Sequence, residues 1–394
     1  MTTTSPFARH WDLDPEVTFL NHGSFGACPR VVLAAQSELR ARLEREPVRF
    51  FEHDYEPLLD AARAALAELV GSDPDDLAFV PNATAGVNTV LRALDFGPGD
   101  ELLVTDHEYN ASRNVFDHVV GRSGARAVTA PLPFPIADPQ QVVDAVLSRV
   151  TERTRLLLID HVTSPTGLVL PLERLVPALR ERGVETLVDG AHGPGMLPLD
   201  LEGLGAAYYT GNCHKWLCTP KGSALLWVRR DRQAALRPLA ISHGANSPRT
   251  DRSQFRLDFD WTGTHDPTPF LCLPAALEFL RGLMPGGLPA LQAHNRELVL
   301  RGRQLLCERL GIPEPAPAAM IGSLAALPLP LDATPITVPG TDPLHAALYD
   351  RYRIEVPVMR WPHPPLRLLR ISAQAYNSVP QYEALAEAVA ELGC

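Results

Sequence analysis

Between about residues 76 and 229 the chain repeats one pattern: a short branched apolar run, a small or polar loop, then an amphipathic stretch. Runs such as Arg155-Leu-Leu-Leu-Ile-Asp160 are apolar on both faces of a pleat, so each needs cover on two sides. Such strands, joined by helical crossovers, imply a mostly parallel sheet sandwiched between helices. The pattern predicts strands at Asp76–Val80, Glu101–Thr105, Ala125–Ala130, Arg155–His161, Glu185–Asp189, Ala206–Gly211 and Ala224–Arg229. Helices are expected between them at Ala85–Leu94, Ala111–Gly121, Pro139–Val150 and Leu172–Glu181, and upstream from Val31 to Val70 with a break near Pro47.

The texture changes after a polar region around Ser242–His265. Helical patterns follow at Pro274–Leu283 and Ala290–Leu310, then β-type runs at Gly322–Pro328, Ile354–Val358 and Pro365–Ser372, and a last helix at Gln381–Leu392. A chain of 394 residues is too long for one core. The expected division is an N-terminal segment over 1–30 packing near the active site, a large domain over 31–264, and a smaller α+β domain over 265–394.

Composition excludes several classes. The net charge is −10 and no Lys/Arg cluster forms a stripe, which argues against a nucleic-acid partner. No apolar run approaches a bilayer's thickness and the first residues lack a signal-type stretch, so no membrane contact and a cytoplasmic location are expected. Six cysteines at 28, 213, 218, 272, 307 and 394 form no disulfide framework. Cys213, His214 and Cys218 lack the further ligand a structural zinc needs, so no metal is expected.

In open parallel sheets, ligands bind at the carboxyl ends of the strands. Five loops there carry reactive residues. Pro81-Asn-Ala-Thr-Ala-Gly-Val-Asn88 opens a helix whose free N–H groups suit a phosphate, although taken alone it reads more simply as a plain N-cap by Thr84 or Asn82. Thr105-Asp-His-Glu-Tyr-Asn110 offers an aromatic or imidazole face for a planar ring, or is simply polar loop. His161-Val-Thr-Ser-Pro-Thr-Gly167 carries Ser164, a donor to a phenolic oxygen or an ordinary turn residue.

The fourth loop, Leu187-Val-Asp-Gly-Ala-His192, ends an apolar strand on a carboxylate. Such a group needs a partner, and a pyridinium nitrogen or a ribose hydroxyl would serve; no GxGxxG precedes it to favour the ribose. The fifth, Thr210-Gly-Asn-Cys-His-Lys-Trp-Leu-Cys-Thr-Pro-Lys-Gly222, carries Lys215 about one strand–loop–strand unit after Asp189. Alone, a lysine is a solvated charge; beside a cationic cofactor it becomes amine, Schiff base and proton shuttle in turn.

Asp189-Gly-Ala-His192, His214-Lys215 and Pro220-Lys-Gly222 together resemble the class V aminotransferase family of fold-type I pyridoxal phosphate enzymes. Leu20-Asn-His-Gly-Ser-Phe-Gly26, Pro47-Val-Arg-Phe50 and Phe259-Asp-Trp-Thr-Gly-Thr264 are similar to its isopenicillin N epimerase-like branch. The resemblance spans nearly the whole chain and implies a fold-type I architecture with a seven-stranded type of sheet and pyridoxal 5'-phosphate as cofactor. It implies Lys215 as the Schiff-base lysine, Asp189 on the pyridine nitrogen and Tyr109 stacked on the ring. Thr84 and Ala85, assisted by Asn212 and His214, would meet the phosphate; His192 and Ser164 would lie near the phenolic oxygen. Thr264 would reach the phosphate of a neighbouring subunit, since such sites are shared in a homodimer. Arg370 would grip the substrate α-carboxylate, with Asn21 and His22 lining the substrate side.

The sequence departs from the family's desulfurases, because no cysteine occurs in Ala316–Pro328 and Cys307 falls in a predicted helix. The expected activity is therefore chemistry at the α-carbon of an amino acid through a carbanion, led by epimerase or racemase, with Tyr109, His22 or a water as the acid on the second face. The alternatives are a C–S lyase acting on a cysteine conjugate, an aminotransferase and, remotely, a non-catalytic cofactor-binding regulator.

Overall fold

A computed structural model describes residues 5–332 and 342–393. Twelve strands are present among them, β1 (Thr18–Phe19), β2 (Leu77–Val80), β3 (Glu101–Thr105), β4 (Arg126–Ala130), β5 (Thr154–Asp160), β6 (Glu185–Asp189), β7 (Tyr208–Asn212), β8 (Ala224–Val228), β9 (Leu324–Leu329), β10 (Ile354–Glu355), β11 (Val358–Met359) and β12 (Arg367–Ser372). The expected sheet is there: seven strands in the order β2-β8-β7-β6-β5-β3-β4, with only β8 running against the rest.

Its central strands follow the apolar logic. All five residues of β8 are buried, as are six of the seven in β5, and separate apolar clusters cover the two faces. At the edge, β4 exposes Arg126 and Ala127, which limits further pairing. Because the strands are apolar on both sides, polar groups collect at their ends. In register, Asp160 of β5 pairs with Asp189 of β6, so two carboxylates leave the sheet side by side.

The helix Ala83–Ala93 crosses β7 closely. Its N-cap is Asn82, whose Oδ1 accepts from the Ala85 N–H at 2.8 Å, and its inward face is Ala83, Gly86, Val87, Val90 and Leu91. Gly86 permits the approach, since a Cβ there would stand 2.1 Å from Thr210 Oγ1 and 2.7 Å from Thr210 Cβ. The helix start is thereby pinned at the carboxyl rim of the sheet.

A second sheet of order β11-β12-β9 is antiparallel and lies under the long helix Gly287–Leu310. The run expected as one strand at Ile354–Val358 is two, because Pro357 cannot donate to a ladder. β10 instead pairs in parallel with β1, so the N-terminal segment is tied to the C-terminal part of the chain. The polar stretch Ser242–His265 also holds an element that hydropathy hid, the helix Gln254–Asp260. Its Arg256, Asp258 and Asp260 are buried because they are paired: Asp260 bonds Arg63 and Arg256, and Arg256 reaches Asp75. Among the described residues no helix is long and apolar enough to cross a membrane.

The Gly86 contact is testable. Gly86→Ala should cost about 1–3 kcal/mol by overpacking, read as a lower midpoint in urea at unchanged slope. Thr210→Ala in the same chain should recover part of the loss, and additive destabilisation would contradict the close approach.

Candidate functional site

The loops after β3, β5, β6 and β7 converge on one lysine. Lys215 follows β7 in a tight turn, and its Nζ lies 3.1 Å from His192 Nε2. Burial of the amine, with Arg370 facing it, lowers its pKa to about 7, against the opposing pull of Asp189 and Asp160. Lys215 and Lys221 are the chain's only lysines. That count was available in the sequence and would have narrowed the search for an amine to two positions.

Asp189 is buried, accepting from Ser112 Oγ at 2.7 Å and from the Ala191 N–H at 3.1 Å. Burial raises its pKa, and these two donors and Lys215 counter that. Asp160 and Glu108 join it, with carboxylate oxygens of all three within 4.8 Å of one another. Burial and mutual repulsion push Asp160 and Glu108 well above the usual carboxylate range. Neither residue was singled out from sequence, although Asp160 ends an apolar strand just as Asp189 does.

Arg370 enters from β12. Its Nη1 donates to the Ser164 carbonyl at 2.5 Å and to Ser164 Oγ at 3.2 Å, and its Nη2 donates to Ser24 Oγ at 3.1 Å. Burial lowers its pKa to about 10, and nearby Tyr109 opposes that shift. Tyr109 itself is 47% exposed at the start of the helix Asn110–Ser123, leaving its ring free to cover a ligand. Ser24 Oγ donates to Asn21 Oδ1 at 2.5 Å, and Asn21 Nδ2 donates to Glu355 Oε1 at 2.8 Å, so Asn21 braces Ser24 against β10.

His22 takes a different place from the one expected. Its Nδ1 lies 2.8 Å from Tyr376 OH and its Nε2 3.0 Å from the Lys215 carbonyl oxygen. Both ring nitrogens are thus engaged with the protein, and burial drops its pKa to about 3. His22 holds the backbone of Lys215 and is not poised as an acid toward substrate. His192 is similarly enclosed, with Trp216 Nε1 donating to its Nδ1 at 3.3 Å.

At the helix start, Asn82 rather than Thr84 is the cap, and Asn212 Oδ1 accepts from the Ala83 N–H at 2.9 Å. Thr84 and Ala85 are half-buried on the first turn. His214 is anchored through Nδ1 to the Ser223 carbonyl at 2.9 Å. Thr264 stands apart from the lysine. With Val48, Tyr55, Trp261 and Arg249 it lines a separate cavity of about 660 Å³, whose walls include none of the residues around Lys215.

These residues fit pyridoxal phosphate. Glu108 Oε2, Asp160 Oδ2 and Arg370 Nε are buried without a hydrogen-bond partner. The unpaired oxygens of Glu108 and Asp160 call for a hydrogen-bond partner such as a ring N–H, and the guanidinium calls for an anion such as a carboxylate. A helix N-terminus for phosphate and an amine whose pKa is lowered to about 7 complete the set.

The Aminotransferase class-V family model matches residues 18–313. The chain is 39% identical to isopenicillin N epimerase of Amycolatopsis lactamdurans, with 96% of each protein covered. It is 30% identical to a probable chloroplastic L-cysteine desulfhydrase of Arabidopsis thaliana, covering 98% of this chain and 84% of that protein. Its fold is shared with the apo structure of a cysteine desulfurase from Thermococcus onnurineus NA1 at a TM-score of 0.79 and 18% identity, covering 100% of this chain and 99% of the other. The extent of these matches and the strand-end site converge on one conclusion: the chain belongs to the class-V aminotransferase family.

Proposed function

We propose that this protein is a pyridoxal phosphate-dependent amino-acid epimerase in which Lys215 holds the cofactor and moves the α-proton. The observation that carries the reading is the setting of Lys215, one of two lysines in the chain, with an amine depressed to about pKa 7 between two strand-end carboxylates and Arg370. When bound, the cofactor supplies an electron-accepting ring that stabilises negative charge at the substrate's α-carbon.

The chain's own residues divide the remaining work. Arg370 orients the substrate carboxylate by a two-pronged contact, and Ser24 and Ser164 hold its guanidinium in place. Asp189, braced by Ser112, keeps a proton on the ring nitrogen. Thr84 and Ala85, with Asn212 and His214, hold the phosphate at the helix start. His192 and Ser164 serve the phenolic oxygen, and Tyr109 covers the ring face. Lys215, as neutral amine, takes the α-proton from one side. Inversion needs an acid on the other side, and with His22 committed to Tyr376 and the Lys215 carbonyl, Tyr109 takes that role.

The same reading includes a homodimer. Phe25, Val48 and Ile241 are 74%, 69% and 69% exposed, and Val48 also lines the Thr264 cavity. Across such an interface Thr264 would serve the partner's phosphate. We further read 31–264 as the cofactor domain, 265–394 as the smaller domain and the cytoplasm as its location. A second reading, a C–S lyase on a cysteine conjugate, is favoured by the likeness to the desulfhydrase of Arabidopsis thaliana.

Proton NMR in deuterium oxide with amino acids and cysteine conjugates separates the two. Exchange of the α-proton with appearance of the stereoisomer supports the epimerase; release of pyruvate and a thiol replaces it with the lyase. Lys215→Ala should lower turnover by about 10²–10⁴-fold, and borohydride should fix the cofactor to wild type but not to the variant. Because the base must be unprotonated, turnover should rise as pH climbs through about 7; a rate flat across that range would contradict the assignment. Val48→Glu should yield monomers in sedimentation that retain less cofactor.

A further inference from the structure

The site contains a donor that the family resemblance did not point to. Trp216 is buried at 1% exposure, and the His22 ring packs 4.8 Å from its own. Its indole N–H can only donate, and it donates to His192 Nδ1 at 3.3 Å. Nδ1 must therefore present a lone pair, so the single proton of a neutral imidazole lies on Nε2. That nitrogen is the one 3.1 Å from Lys215 Nζ. With a proton already between them on the histidine side, the lysine nitrogen must be the acceptor, which only a neutral amine can be.

We propose that Trp216 is a positioning residue that locks His192 in the Nε2–H tautomer, making it a donor toward Lys215 and disfavouring the ammonium form of that lysine. The reading rests on Lys215 as the working amine, but the tautomer itself does not depend on cofactor. The charges facing the pair come from every surrounding element: Asp160 and Asp189 from the strand ends, Arg370 from β12 and His22 from the N-terminal segment. Burial, with the Arg370 guanidinium nearby, keeps His192 well below its ordinary range, so the neutral ring is the relevant form.

The test uses the full chain labelled with ¹⁵N-histidine and ¹³C-lysine. His192 is assigned by its loss in His192→Gln, and the two lysine signals are separated with Lys221→Arg. In wild type, with or without cofactor, His192 should carry its proton on Nε2 from about pH 6 to about pH 9. In cofactor-free Trp216→Phe the ring is free to adopt the Nδ1–H form and accept from an ammonium, so the Lys215 midpoint should rise by about one pH unit. In a His192→Gln background the same substitution should leave the midpoint where His192→Gln alone puts it. A wild-type proton on Nδ1 overturns the proposal even if Trp216→Phe does not fold. An unchanged tautomer and midpoint in a folded Trp216→Phe overturns it as well. Should borohydride fail to attach cofactor to Lys215, the functional reading falls while the wild-type tautomer still decides this one.

Discussion

The organising constraint is a sheet covered on both faces. Strands buried on two sides have no room for charge along their length, so polar chemistry is displaced to their carboxyl ends. Here that displacement is concentrated by register: Asp160 and Asp189 leave adjacent parallel strands together, and Glu108 closes on them from the loop after β3. Two cationic side chains, Lys215 and Arg370, face this acidic rim. Burial and the neighbouring guanidinium outweigh the pull of the carboxylates, and the amine titrates at about 7.

Much of this was legible in the amino-acid order. Branched apolar runs gave the seven strands to within a few residues, since a buried strand has no other way to be written. Asp189 stood out because a carboxylate ending such a run demands a partner. Other features depend on contacts that no local pattern encodes. The helix Gln254–Asp260 looks like surface because three of its seven residues are charged, yet its charges are neutralised by Arg63, Asp60 and Asp75 from distant segments. β10 and β11 looked continuous until Pro357 assigned them to different partners.

The histidines make the same point at the scale of single atoms. His22 lies in the Leu20–Gly26 segment that resembles the family, and its position suggested a substrate contact. Its contacts with Tyr376 and the Lys215 carbonyl give it a different task, bracing the backbone of Lys215 against Tyr376. His192 was expected beside the cofactor, but the side on which its proton sits depends on Trp216, a residue that in sequence looks like any core aromatic. Hydrogen-bond direction belongs to the assembled site, because a ring nitrogen has no fixed role until its neighbour is known.

The N-terminal strap has a consequence for how the protein is made. Thr18 and Phe19 pair with Ile354 and Glu355, and His22 meets Tyr376 across 354 positions of chain. During synthesis these contacts therefore cannot form until residues 354–376 have left the ribosome. The sheet over residues 77–228 can form well before then, but Ser24 cannot steady Arg370 until β12 has emerged. Closure of the site thus follows formation of the large sheet, and a nascent chain stalled before β12 carries the lysine without the means to orient a substrate.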